Sequence, residues 1–259
     1  MTGTVSYKLH RPLASITIDN PSKRNALHMQ MWRALATAVD ECVASIGVRV
    51  VVLRGSGSTA FSAGGDLEEL DTVSQELRTS AEFIESVEAA FVAISGSPIP
   101  IVAMIAGHAI GGGLALACTC DLRVAADTLT AGIPATRLGV VPTRTELAAI
   151  QSLIGPSRTA DLFLTGRLLK AEEAAAWGLV DRVVSLDSLE SETTELAERI
   201  AEAAPGAVRQ TLSMLRYARF ATGERDGDLG VSARSLAGQE LRVTLAAIRR
   251  GQIPVFEDV

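Results

Sequence analysis

The sequence predicts an α/β chain of layered or spiral architecture, on three observations. Strand-like and helix-like runs follow one another through most of the chain, two glycine-rich turns each lead out of the strand-rich segments into a helix, and strand signals stop after about residue 186. Taken in order, "VSYKLHRPLASITID" alternates and is interrupted at Arg11-Pro12, which predicts a hairpin closing into Asn20-Pro21. Met31, Leu35, Val39 and Val43 then recur at helical spacing, and "VRVVVLRG" reads as a buried strand. The order repeats: "AEFIESVEAAFVAISGS" is helical, "IPIVAMIAG" is a strand, the turn Gly111-Gly112-Gly113 opens a helix, and "CDLRVAAD" is a strand again. Beyond residue 186, Leu189, Leu196, Ile200, Leu212, Leu215 and Leu241 support helices alone, with breaks at Pro205-Gly206 and "ATGERDGDLG". The expected division is a core over 1–186 and a helical C-terminal region over 187–259.

Composition narrows the function classes. A 259-residue chain with 47% hydrophobic residues can bury a sizeable core. Its apolar runs are broken before the roughly 18 residues a membrane span needs, and the first twenty residues lack a signal pattern, so a cytoplasmic protein is expected. Cys42, Cys118 and Cys120 sit in apolar contexts without CxxC or His pairing, which predicts buried reduced thiols and no metal site. A net charge of −6, 4% aromatic residues and no basic run beyond Arg249-Arg250 argue against a nucleic-acid surface.

The glycine turns carry the chemistry. "FSAGGDL" and "IAGHAIGGG" each allow a backbone N–H to approach a ligand, and the second stands where a helix begins. Converging on one oxygen, two such amides form an oxyanion hole; apart, each is only a tight strand-to-helix connection.

"NPSKRNAL" at 20–27, "FSAGGDL" at 61–67, "IAGHAIGGG" at 105–113, "CDLRVAAD" at 120–127 and "SRTADLFLTGRLLKAEEAAAWGLVDRVV" at 157–184 resemble the crotonase family of enoyl-CoA hydratases and isomerases. The resemblance covers roughly residues 5–185. It implies a spiral of strand-strand-helix turns, a C-terminal helical trimerisation region, a homotrimer or dimer of trimers, and a coenzyme A thioester as ligand with no tightly bound cofactor. It further implies that the Gly65 and Gly112 amides hold the thioester oxygen. Lys23, Arg24, Ala26 and Leu27, with Ala63, Asp66 and Leu67, would contact the nucleotide and pantetheine parts of CoA, Lys23 and Arg24 as phosphate partners.

The chain departs from the family at its acid/base positions. Hydratases of this family carry one glutamate two residues after the glycine triplet and another after the proline of the segment "TAGIPATRLGVVPTRTELAAI"; here those positions are Ala115 and Ala135. A positioned acid or base is worth about 10²–10⁴ in rate, so ordinary hydration is expected to be impaired.

Replacement groups have two readings each. Thr143 and Glu146 follow the segment that lost its glutamate and are candidates for a relocated catalyst, or form the Thr-x-x-Glu capping box of a helix. Arg137 either faces the pocket and holds a second carboxylate of the acyl group, or faces solvent. His108 beside the triplet is a titratable wall residue or a structural one, and His10 and His28 have weaker claims. Glu68, Glu69 and Asp71 line the mouth or form a solvated face. Trp32 and Trp177 read as core or subunit packing, and Arg250 and Phe256 as contributors to a neighbour's CoA site. Three readings follow: a divergent acyl-CoA enzyme performing isomerisation, decarboxylation or thioester cleavage, a slow hydratase, and a non-catalytic acyl-CoA binder.

Overall fold

The N-terminal hairpin pairs β1 (Thr4–His10) antiparallel with β2 (Leu13–Asp19) around Arg11-Pro12, as the alternation predicts. The computed structural model describes residues 3–220, 243, 247, 250–252 and 255. Helix α1 (Met29–Ala44) follows and buries Met31, Trp32, Leu35 and Val39 on the face the spacing marks. Next come β3 (Val50–Gly55), β4 (Ala60–Ser62), α2 (Leu67–Val73) and α3 (Leu77–Gly96). A second turn of the spiral repeats the pattern with β5 (Ile101–Ile105), β6 (His108–Ile110) and α4 (Gly112–Thr119). A third runs through β7 (Leu122–Ala126), β8 (Thr130–Gly132) and α5 (Arg144–Thr165), the last broken by non-helical backbone at Gly155 before Pro156. The chain then adds β9 (Leu168–Lys170), α6 (Ala171–Trp177), β10 (Arg182–Val184), α7 (Leu189–Ala201) and α8 (Pro205–Phe220).

Two sheets result. One is six-stranded in the order β1-β2-β3-β5-β7-β10, and the other four-stranded in the order β4-β6-β8-β9. Successive spiral turns lay parallel neighbours into both, since β3 pairs β5 and β5 pairs β7 in the first, while β4 pairs β6 and β6 pairs β8 in the second. The larger sheet turns one apolar face toward the main core with α1, α3, α4 and α5, where Ile16, Leu53, Ile101 and Leu116 are fully buried or nearly so. Its other face packs Val50, Val52, Val102 and Val124 against Leu189, Leu196 and Ala197 of α7. Among the described residues the last strand ends at Val184 and α7 and α8 follow, and Pro205 opens α8 instead of merely breaking the chain. Proline is well suited to that place because its missing N–H would lack a helical partner anyway.

All three cysteines are buried and none is in a disulfide among the described residues; burial pushes the Cys42 thiol up to about 11, with the Glu41 charge adding to it. No helix among the described residues is long and apolar enough to cross a membrane. Leu241, "ATGERDGDLG" and Phe256 lie outside the described residues, while Arg250 is exposed.

Candidate active site

The second sheet brings the two glycine turns together. Because β4 and β6 are parallel neighbours, with Ala60 opposite His108 and Ser62 opposite Ala109, the turns leaving their C-terminal ends lie side by side. The close approach is measurable at Gly64, whose φ of +85° is left-handed and whose Cβ would lie 3.0 Å from the Gly112 nitrogen. Sequence position alone could not reveal this convergence. Across the triplet each glycine answers a different need. Gly111 makes the turn with φ +56°, Gly112 borders a cavity, and a Cβ on Gly113 would stand 2.3 Å from the Ser62 carbonyl oxygen.

The first turn is held from the N-terminal side. Buried Asn25, itself at φ +56°, donates from Nδ2 to the Ala60 and Ser56 carbonyls at 2.7 and 3.0 Å, and its Oδ1 accepts from the Asn20 N–H at 2.9 Å. Segment 24–27 then runs beside 63–66. The Ala63 N–H donates to Arg24 O, Leu27 N–H to Gly64 O and Asp66 N–H to Leu27 O, at 3.0, 2.8 and 3.0 Å. This pattern skips the Gly65 amide. The Gly112 amide heads α4 and has no partner one turn back in the helix. Both glycines are partly exposed, and no hydrogen bond from either N–H is found among the described residues. The positive end of α4 adds to the attraction for negative charge at that point.

An open groove of about 640 Å³ runs past Lys23, Arg24, Ala26, Ala63, Asp66 and Leu67, with His108 and Arg137 also on its walls. These are the positions expected for CoA, with one correction. Leu27 is fully buried and belongs to the core, so only its backbone reaches this region, through the bonds to Gly64 and Asp66. Lys23 is committed to two carboxylates, Asp66 and Glu68, each at 2.7 Å. Burial opposes ionisation of Asp66, yet the Lys23 ammonium and the Glu68 amide outweigh it and hold the carboxyl below its ordinary value. Asp66 also caps α2 by accepting from the Glu68 N–H at 3.0 Å. Arg24 is exposed, and no ion pair from it is found among the described residues.

At Gly65 the groove meets a smaller, largely apolar cavity of about 140 Å³. Gly112, Ala135, Phe83, Val87, Trp32 and Glu146 are among its walls. Ala115 is completely buried inside α4, whereas Ala135 presents a methyl group where the resemblance calls for a glutamate. Trp32 is core, stacked on Phe91 at 6.0 Å, but one ring edge also borders the cavity, a role its helical spacing did not signal.

Thr143 and Glu146 form the capping box, and Glu146 also lines the cavity. Thr143 caps α5, with its hydroxyl accepting from the Glu146 N–H at 3.2 Å while Glu146 Oε2 accepts from the Thr143 N–H at 2.7 Å. Glu146 Oε1 remains, at the cavity wall and 3.6 Å from where a Cβ on Gly112 would stand. Burial, aided by the charge of Glu88, pushes the Glu146 carboxyl above its ordinary value against the pull of the Thr143 bonds. Arg137 lies elsewhere: its Nε and Nη2 donate to the Thr165 carbonyl at 3.2 and 2.9 Å, and it lines the open groove and not the cavity. His28 and Glu69 serve the start of α1, the latter accepting from the Met29 N–H at 2.6 Å. Asp71 and His10 are exposed, and Trp177 lies beneath Arg158 and Arg167.

Comparison with known proteins bears on the family and the fold. The family model described as "Enoyl-CoA hydratase/isomerase" matches residues 9–226. An enoyl-CoA isomerase/hydratase of Zymoseptoria tritici is 32% identical over 82% of this chain and 72% of its own length. The enoyl-CoA isomerase/hydratase claC of Penicillium crustosum is 34% identical over 78% of this chain, which spans only 24% of that protein. Among solved structures, an enoyl-CoA hydratase/carnithine racemase from Magnetospirillum magneticum superposes with a TM-score of 0.94 at 34% identity, covering 99% of this chain and 96% of that one.

Proposed function

Because the chain belongs to the enoyl-CoA hydratase/isomerase family, we propose that it is an acyl-CoA enzyme whose chemistry is a proton shift beside the thioester and not the addition of water. The observation that carries this reading is the place of Glu146. Among the described residues it is the one acidic or basic side chain lining the cavity, and its Oε1 stands beside Gly112.

A CoA thioester would lie along the groove with its nucleotide end toward Lys23, Arg24, Ala26, Asp66 and Leu67. Since Lys23 is already paired, Arg24 and Arg137 are the cations freer to meet phosphate. The thioester oxygen would rest between the Gly65 and Gly112 amides, and a short apolar acyl chain would enter the cavity. With a 3-enoyl thioester, ionised Glu146 takes a proton from C2. The bonding pair moves into the thioester, the two N–H donors stabilise the resulting negative oxygen at about 3–4 kcal/mol each, and Glu146 returns the proton at C4. The product is the 2-enoyl isomer, with no atom gained or lost. Hydration asks for one group to activate water and another to protonate carbon; alanine at 115 and 135 leaves Glu146 alone for both. A carboxyl raised above its ordinary value by burial suits a group that must both accept and donate within one turnover.

The test is mass spectrometry with chromatographic separation after incubation with 3-hexenoyl-CoA and with crotonyl-CoA. The expected result is 2-hexenoyl-CoA from the first and little added water in the second, with Glu146→Gln slowing isomerisation by about 10²–10⁴. Rapid hydration of crotonyl-CoA, or unchanged thioesters despite tight binding, would replace this reading with a hydratase or a non-catalytic binder. A homotrimer or dimer of trimers in the cytoplasm belongs to the same proposal, and a monomeric mass by sedimentation would remove the assembly from it.

A further inference from the structure

A second carboxyl group stands behind the acyl cavity. Helix α3 supplies Phe83 and Val87 to the cavity wall, and the next residue, Glu88, turns toward the first turn of α5. There the Thr145 hydroxyl donates to Glu88 Oε1, one residue before Glu146 and inside the segment closed by the capping box. Glu88 Oε2 is buried and has no hydrogen-bond partner. An oxygen left this way forgoes the water it would have in an unfolded chain, a cost that a purely structural tie between α3 and α5 does not require. The positive end of α5 offsets part of that cost.

Among the described residues that line the cavity, Glu146 has no basic neighbour, and Glu88 lies behind the wall. Trp32 of α1, Gly112 of α4 and Ala135 bring no charge to the cavity, and Arg144 on the same helix is exposed. Among the described residues, Glu88 is the acidic group that α3 ties to the residue next to Glu146, through Thr145. We propose that Glu88 is a positioning residue for the proton shift: pinned by Thr145 to the first turn of α5, its carboxylate opposes a second negative charge on Glu146 and so favours the form of that side chain that carries the proton. Glu88 itself does not line the cavity and transfers no proton to substrate. The inference rests on the reading of Glu146 as the proton carrier. The direction found for Glu146, upward by burial and then by Glu88, agrees with it.

The test reads Glu146 without substrate. The chain has two tryptophans, and Trp177→Phe leaves Trp32, whose Cζ2 lies 3.5 Å from the same Gly112 Cβ position that Glu146 Oε1 approaches at 3.6 Å. Emission of Trp32 is titrated with pH in this background. The expected inflection disappears in Glu146→Gln and moves to lower pH by about half a unit to one unit in Glu88→Gln, since removing a like charge favours the ionised form. Glu88→Lys, which reverses the charge, moves it further down and serves if the glutamine variant folds poorly. The acid limb of the kcat profile shifts by the same amount. A midpoint unchanged in both Glu88 variants overturns the proposal, as does an inflection that survives Glu146→Gln. If instead the midpoint shifts but Glu146→Gln retains full turnover, the reading of Glu146 as proton carrier falls on separate grounds.

Discussion

Oε2 of Glu146 closes the capping box while Oε1 faces the cavity, so one side chain serves both helix stability and chemistry. The two demands separate with pH. Burial raises the folded-state pKa of Glu146 above its unfolded value, so the native chain binds more protons than the unfolded one between those values. Its contribution to stability is greatest below the unfolded value and declines as pH rises through the folded one. Glu146→Gln, neutral throughout and still able to accept from the Thr143 N–H, is expected to raise Tm relative to wild type at pH 8 and to leave it nearly unchanged at pH 4. Calorimetry at the two pH values checks this; an equal gain at both would remove the burial penalty from the account. The Thr-x-x-Glu cap was legible because it is local. That the same glutamate borders a cavity was not, since α1, α3 and α4 supply the other walls. Leu27 was misplaced for a related reason: a motif identifies a segment, but which side chains of it turn into the core depends on what packs behind.

Helix α4 is apolar nearly all round and buried from Gly113 to Thr119, so its position is set by packing on every side. Its first turn admits no Cβ at residue 113, because the Ser62 carbonyl oxygen occupies the space and belongs to backbone. Gly113→Ala is expected to destabilise the fold by about 1–3 kcal/mol and to displace the Gly112 amide, lowering kcat even where the protein remains folded. Gly112→Ala meets only ordinary contacts at 3.5 and 3.6 Å, so it should fold and chiefly crowd the cavity. Chemical denaturation with kinetics at saturating substrate distinguishes the two; equal stability would contradict the packing argument. The long helices and the longer strands of the larger sheet were readable from periodicity, as α1, α3, β3 and β5 illustrate, whereas three-residue β10 of that sheet was not. Strands β4, β6, β8 and β9 were not, being three residues each, too short for an alternating pattern to declare itself.

That short-stranded sheet is what makes the molecule more than a collection of turns. Parallel pairing of β4 with β6 sets two strand-to-helix connections about forty-odd residues apart in sequence at one edge, where each presents an amide without a backbone partner. Core packing on both faces of the larger sheet, by α1 and α3 on one side and α7 on the other, holds that edge in place. The sequence could show the order of strands, turns and helices but not which connections become neighbours, because neighbourhood is decided by long-range pairing. The central claim is that this edge stabilises a thioester enolate whose proton Glu146 carries. Loss of deuterium from C2 of 2,2-dideuterio-3-hexenoyl-CoA, followed by NMR for wild type and Glu146→Gln, tests it most directly. The account predicts that wild type removes one C2 deuterium as the double bond moves, with a loss of about 10²–10⁴ in that rate in the variant and thioester binding retained. C2 deuterium lost equally fast in Glu146→Gln, or kept by wild type in a complex that binds the thioester, would contradict it.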